Sequence, residues 1–284
     1  MLALKPLFKN IRRSWRSFLR RLRSADGRKA LEKRFLAVSA IREDDFNKAL
    51  VFLLNKLKER EHFAFSKYAD GELKILRGEF IDITRKEHGE FKFNPDSRPD
   101  NFYRRQLIES FRYRNEQYYV GIGCPCCIGD DDFSWMKEFS GQDEKHLTWA
   151  NIFVNANYPC YLKEFVHGEF KKRKVVIVCN KLASLKDLPF DVHKDFRIGV
   201  DAWKNDYALI GEIKEWMRAN RTEDFLFLFC AGPFGNMLSA QLFDFNRNNT
   251  YLDVGSTLDI YLGLGATRSY LRGGGDLDKV CVWS

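Results

Sequence analysis

The chain has 284 residues, 45% of them hydrophobic, enough to bury one sizeable core in one large domain or two small ones. No apolar run is long enough to cross a bilayer, and the opening MLALKPLFKNIRRSW is broken by charge, so neither a transmembrane helix nor a secretory signal is expected. The net charge of +8 would suit nucleic acid, but Lys5, Lys9, Arg12, Arg13, Arg16, Arg20, Arg21 and Arg23 lie within residues 1–24 with no acid among them, so the tail accounts for the whole excess and no nucleic-acid partner is expected of the body.

In that tail Leu7, Phe8, Ile11, Trp15, Phe18, Leu19 and Leu22 recur at helical spacing, with arginines filling the other side. Such a basic amphipathic helix, assigned to residues 1–27, suits an anionic membrane interface, where each basic residue contributes about 1 kcal/mol. A helix packed on the body or on a partner is the ordinary alternative. Residues 28–284 are then read as a single domain. Its first segment, 28–60, is helical, with Phe46, Leu50, Leu53, Leu54 and Leu57 on the core face.

Residues 63–78, FAFSKYADGELKILRG, are the stretch around which the rest of the chain is organised: an apolar strand, an acidic turn and a helix that stops at Gly78. Asp70 and Glu72 flank Gly71, which would let the backbone bend so that both carboxylates meet one hard cation such as Mg²⁺ or Mn²⁺. The N–H groups opening the helix favour an anion at the same point, as a metal-bound diphosphate would be. The plain alternative is that Asp70 is an N-cap and Glu72 a partner of the helix dipole. Residues 101–114 form a further helix, whose Arg104 and Arg105, with Arg98 just before it, are either a solvated face or phosphate contacts.

QYYVGIGCPCC is a strand entering a tight loop at residues 121–129, read as part of a pocket rim. Its Cys124 and Cys127 form a C-x-x-C, but the five histidines are scattered and no second cysteine pair exists, so a four-ligand zinc site is not expected. With seven cysteines in all, mostly in apolar runs, reduced thiols and a cytoplasmic setting are expected. In WANIFVNANYPCYLKEF, Asn155 and Asn157 point the same way if the segment is a strand, and would then touch sugar hydroxyls or a base edge; equally they cap turns.

KVVIVCN, ending in Asn180, is a continuously apolar strand of a parallel sheet, followed by a strand at 196–200 and a helix at 207–219. FLFLFC should be central. After it, Ala231-Gly232-Pro233-Phe234-Gly235-Asn236 leads into a helix at 237–245 whose N-terminus sits where open α/β sheets place ligands. Strand 250–254 carries Asp253, with Asp259 opening the next turn; 263–275 is a glycine-rich loop and 279–283 an edge strand.

YADGELKILRG resembles the signature of the GT-D-type glycosyltransferases, a family first catalogued as a domain of unknown function. KVVIVCN, FLFLFCAGPFGNMLSAQLF and YLDVGSTLDIYLG match in the same order, so the resemblance spans roughly residues 60–265. It implies an α/β, Rossmann-like doubly wound, mostly parallel sheet, and transfer of a sugar from a nucleotide-diphosphate donor, UDP-linked by expectation. The acceptor would be a glycan or lipid-linked molecule in bacterial surface polysaccharide or glycoconjugate synthesis, at the inner face of the cytoplasmic membrane. On this basis Asp70 and Glu72 hold Mn²⁺ or Mg²⁺, and Tyr68, Asp70, Gly71, Glu72, Asn180, Gly232, Pro233, Gly235 and Asn236 line the donor. Asn155 and Asn157 would meet the sugar or acceptor, and, if the mechanism inverts, Asp253 or Asp259 would be the candidate to deprotonate the acceptor hydroxyl. A non-catalytic nucleotide-binding module, or an anionic-polymer binder using the tail, are the alternatives.

Overall fold

The computed structural model describes residues 27–30, 32–33, 41–84, 90–272 and 275–284. The basic helix expected over residues 1–27, and the membrane contact assigned to residues 1–24, therefore lie essentially outside the described residues. No helix among the described residues is long and apolar enough to cross a membrane.

Helix α1 (Asp45–Lys58) is capped by the Asp44 carboxylate, which accepts from the Asn47 N–H, and buries the expected face of Phe46, Leu50, Leu53, Leu54 and Leu57. Strand β1 (Ala64–Tyr68) runs into α2 (Asp70–Arg77), which ends on Gly78 at φ 77°, a left-handed stop that glycine adopts without cost. A short antiparallel hairpin, β2 (Ile81–Asp82) with β3 (Lys92–Phe93), precedes α3 (Arg98–Phe111). Then come β4 (Tyr118–Ile122), α4 (Asp130–Ser140), β5 (Leu147–Trp149), β6 (Lys174–Asn180), β7 (Val192–Ile198), α5 (Leu209–Ala219), β8 (Phe225–Phe229), α6 (Pro233–Phe245) and β9 (Thr250–Asp253).

Seven strands form one sheet in the order β5-β4-β1-β9-β8-β6-β7, and every pairing in it is parallel. The doubly wound sheet read from the continuously apolar runs is borne out. Alternation explains why those runs look uniform in sequence. Val175, Ile177 and Cys179 of β6, with Leu226 and Leu228 of β8, face a core shared with α1. Val176 and Val178, with Phe225, Phe227 and Phe229, face a second core against α2, α3, α5 and α6. A strand buried on both faces has no polar side to show.

Three expectations fail. Residues 155–166 are not a strand but successive helical turns, so Asn155 and Asn157 do not share a face. Residues 279–283 are irregular rather than an edge strand. Helix α6 begins at Pro233, four residues before the predicted start, because proline at the first helical position fits the helix φ and gives up an N–H that would have no partner there.

Candidate functional site

The topology sets where a ligand can sit. From β1 the chain runs outward through β4 and β5, crosses to β6 and β7, and returns through β8 to β9 beside β1. The chain leaves β1 toward β4 on one side and reaches β9 from β8 on the other, and a doubly wound sheet opens a crevice at the carboxyl ends of such a pair. A cleft of about 1890 Å³ lies there.

One wall is the acidic turn. Asp70 is exposed at the first position of α2, and Ala69 rather than Asp70 is its N-cap. Glu72 is buried; one of its oxygens accepts from the Ala69 N–H at 3.0 Å, so it caps the helix while lining the cleft. Burial raises the Glu72 pKa, with Lys67 opposing the shift. Gly71 is not needed for a bend, as it sits in regular helix. It is needed because a Cβ there would lie 2.7 Å from Cζ of Phe91. The same ring lies against Gly232, where a Cβ would be 3.6 Å from Cδ1. Phe91, buried and lining the cleft, thus joins the two strand–helix junctions. Sequence reading missed it because an isolated phenylalanine after a polar loop carries no signal.

The opposite wall is the turn after β8. Gly232 adopts φ 54°, ψ −140°, a conformation that side chains other than hydrogen disfavour, and Ala231, Gly232 and Pro233 reach the cleft. Gly235 and Asn236 do not. A Cβ at Gly235 would lie 3.2 Å from Asp253 Oδ1 and 3.3 Å from Phe229 Cβ, so this glycine lets α6 settle on the sheet. Asn236, fully buried, donates to the Lys67 carbonyl at 2.6 Å and to Ser66 Oγ at 3.1 Å. Tyr68 is likewise enclosed. These three residues support the floor; as direct donor contacts they are corrected. Asn180 does line the cleft.

Lys67 is the residue sequence reading overlooked, although a lysine inside the otherwise apolar run FAFSKY was a visible anomaly. It lines the cleft, and its stem crosses Gly255, where a Cβ would lie 2.5 Å from Cε and 2.8 Å from Nζ. Its charge is felt by Glu72, Asp253 and Asp259. Asp253 is buried beneath it and accepts from the Gly255 N–H at 3.2 Å and from Asn236 Nδ2 at 3.4 Å. Burial pushes the Asp253 pKa up to about 7, with Lys67 opposing. Asp259 reaches the cleft, accepts from the Thr267 hydroxyl, and is also raised by burial to about 7. Of the two expected bases, only Asp259 faces the cleft.

The amides divide as well. Asn155 lines the cleft at φ 54°, but Asn157 is a core residue, donating to the Phe46 and Ile152 carbonyls and accepting from Asn47 and Arg42. Asn157 as an acceptor contact is corrected. Arg104 binds the Ile75 and Leu76 carbonyls at 2.8 and 2.7 Å, closing the end of α2, and neither it nor Arg98 or Arg105 lines the cleft. Residues 121–129 form no part of the rim; Ala150 and Asn151 do. Across the mouth, Arg268 pairs with Glu90 at 2.6 Å.

No protein-family model matches the chain, and no curated protein does. Among solved structures, a selenomethionine-substituted domain of unknown function 1792 superposes with a TM-score of 0.50 at 14% identity, covering 75% of this chain and 78% of that one. The chain has the fold of domain of unknown function 1792. Two further structures score slightly lower. One, described as a highly conserved domain of unknown function 1792 with a distinct glycosyltransferase fold, gives 0.49 at 16% identity over 75% of this chain and 78% of its own. The other, described as a new glycosyltransferase from Streptococcus sanguinis, gives 0.48 at 18% identity over 77% and 82%. The likeness to domain of unknown function 1792 bears out the fold that the four ordered motifs implied.

Proposed function

We propose that the protein is a metal-dependent glycosyltransferase that moves a sugar from a nucleotide-diphosphate donor to a hydroxyl of a glycan or lipid-linked acceptor. The observation that carries this is the pairing, at one switch-point cleft, of a carboxylate-lined wall at Asp70 and Glu72 with a side-chain-free wall at Gly232. A hard cation takes oxygen ligands, and the Asp70 and Glu72 carboxylates, both lining the cleft, offer that donor type. Held there, Mn²⁺ or Mg²⁺ would neutralise charge developing on the leaving diphosphate.

The chain's own groups supply the rest. Lys67 brings an ammonium to the floor, where a diphosphate's charge would otherwise be repelled by Glu72 and Asp259. The Gly232 turn lets a phosphate or ribose approach the backbone without meeting a Cβ. Asp259, with its pKa near 7, is matched to accept the acceptor hydroxyl's proton at neutral pH. As the acceptor oxygen bonds to the anomeric carbon, the bond from that carbon to the diphosphate breaks and its electron pair leaves with the diphosphate. Asp253, buried and out of reach of the acceptor, lies within electrostatic range of Lys67 but does not face the cleft. A UDP-linked donor, a surface-polysaccharide acceptor and attachment to the inner membrane face by the basic tail complete the proposal.

The test is a thermal-shift screen of nucleoside diphosphates and nucleotide sugars with and without Mn²⁺. A ligand at about 100 times its dissociation constant stabilises by about 2.7 kcal/mol. A shift seen with one nucleotide only when Mn²⁺ is present is expected, followed by turnover of the corresponding nucleotide sugar. Binding without turnover of any donor would leave a nucleotide-binding module instead.

A further inference from the structure

The loop after β4 and the end of the chain hold chemistry that the cleft does not use. Cys124, Cys126 and Cys127 lie in the sequence GCPCC, and Cys281 is 154 positions beyond Cys127. The fold brings all four together, with every Sγ within 4.8 Å of every other. The expectation that nothing could complete a four-ligand site fails because the missing ligand is a single cysteine near the C-terminus, not a second pair.

We propose that Cys124, Cys126, Cys127 and Cys281 bind one Zn²⁺ ion that staples the C-terminal segment to the loop after β4. Four thiolates around zinc at about 2.3 Å in a tetrahedron stand about 3.8 Å apart. Here Cys124 and Cys126 sulfurs are 3.1 Å apart and those of Cys126 and Cys127 are 4.0 Å apart, on either side of that value. An all-sulfur tetrahedral set selects zinc or iron over the hard cations expected at the acidic turn.

Donors to these sulfurs surround the group. Lys279 Nζ lies 3.2 Å from the Cys127 sulfur and 3.2 Å from the Cys126 carbonyl. Asn151 Nδ2 donates to the Cys127 sulfur at 3.2 Å and Asn155 Nδ2 to the Cys281 sulfur at 3.4 Å. Four thiolates on Zn²⁺ carry a net charge of −2, and an ammonium with two amide donors is the outer shell that such a charge calls for. Half the group is sealed, since Cys124 and Cys281 are buried, while Cys126 and Cys127 are exposed and give the metal an entry path.

The staple has something to hold. Trp283 packs edge-on against Trp149 at 4.8 Å and Phe133 at 5.2 Å, and the Lys279 carbonyl accepts from the Ala156 N–H at 3.1 Å. Asn151 and Asn155 also line the cleft, so the ion would brace one of its walls. The cysteine spacing, C-x-C-C with a distant fourth, is unlike the paired C-x-x-C of familiar zinc modules, which is why sequence spacing concealed it.

The full chain, purified under reducing conditions, should carry about one zinc per molecule by elemental mass spectrometry, and Cys126→Ser and Cys281→Ser should each hold less than about a tenth of that. Exchange with Co²⁺ should give the visible spectrum of a tetrahedral cobalt–thiolate centre in the wild type, lost in both variants. Cys126 is exposed, so its serine variant stays folded and reads metal loss even if Cys281→Ser aggregates. Chelation should lower the Tm of the wild type and leave Cys126→Ser unmoved. Iron in place of zinc, full zinc retained by both variants, or a reduced wild-type chain that takes up no metal when refilled would each overturn the assignment.

Discussion

Two strand–helix junctions face each other across the cleft, and they are built in opposite ways. After β1 the chain turns through Ala69 into Asp70 and Glu72, filling the junction with carboxylates and capping its own helix with one of them. After β8 it turns through Gly232 and Pro233, with no charged side chain at all and a backbone conformation suited to glycine. Under the proposed function, the wall of oxygen ligands would recruit a cation and the bare wall would admit an anion to the backbone, so that one parallel sheet would offer complementary surfaces to the two charge types of a metal–diphosphate pair without a P-loop.

Asp253 lies under both junctions, close to Gly235 of α6 and felt electrostatically alongside Glu72. Its pKa in the folded chain, about 7, exceeds the ordinary carboxylate value. The stabilising contribution is therefore full below about pH 4 and is lost as pH rises through about 7. Each pH unit inside that window is worth up to about 1.4 kcal/mol for a fully buried group. Stability of the wild type should fall across it in denaturant titrations, and Asp253→Asn should flatten the fall. An unchanged pH slope in the variant would mean that this carboxyl is not the buried acid described.

The junctions should also respond differently to bulk. Gly235→Val overpacks α6 against Asp253 and Phe229 and should cost about 1–3 kcal/mol of stability in urea titrations, while donor affinity, measured where the variant is folded, is kept. Gly71→Val drives a side chain into the Phe91 ring that links the junctions, and should reduce stability and donor affinity together. A Gly235→Val chain that is folded yet blind to donor would place Gly235 back in the ligand site.

The smallest effect concerns the far end of α2. Arg104→Ala removes two hydrogen bonds to the terminal carbonyls of the helix that carries Asp70, and should lower stability by about 1 kcal/mol without altering donor specificity. Loss of nucleotide binding in that variant would return Arg104 to the phosphate contacts.

The fold was legible because strands such as KVVIVCN and FLFLFC, buried on both faces, advertise a parallel sheet by composition alone. The acidic turn, Gly232, Asn180 and Asp259 were legible as cleft residues for the same reason: strand ends and helix starts mark the ligand edge. What stayed hidden depends on tertiary approach. Gly235 and Asn236 read as loop residues until the helix proved to start at Pro233. Asn157 looked like a binding amide, but most of its partners, Arg42, Phe46 and Asn47, lie over a hundred positions away. Phe91, the role of Lys67 and the meeting of Cys281 with the GCPCC loop are likewise long-range facts that no local pattern encodes.

The most direct test of the metal–diphosphate cleft is a calorimetric titration of the nucleoside diphosphate found in the screen, with and without Mn²⁺, into the wild type and Asp70→Ala. The wild type should bind about a hundredfold or more tightly with Mn²⁺, a gain of roughly 2.7 kcal/mol, and Asp70→Ala should lose that gain while keeping its melting temperature. Equal Mn²⁺ dependence in the two proteins would contradict the assignment of the acidic turn.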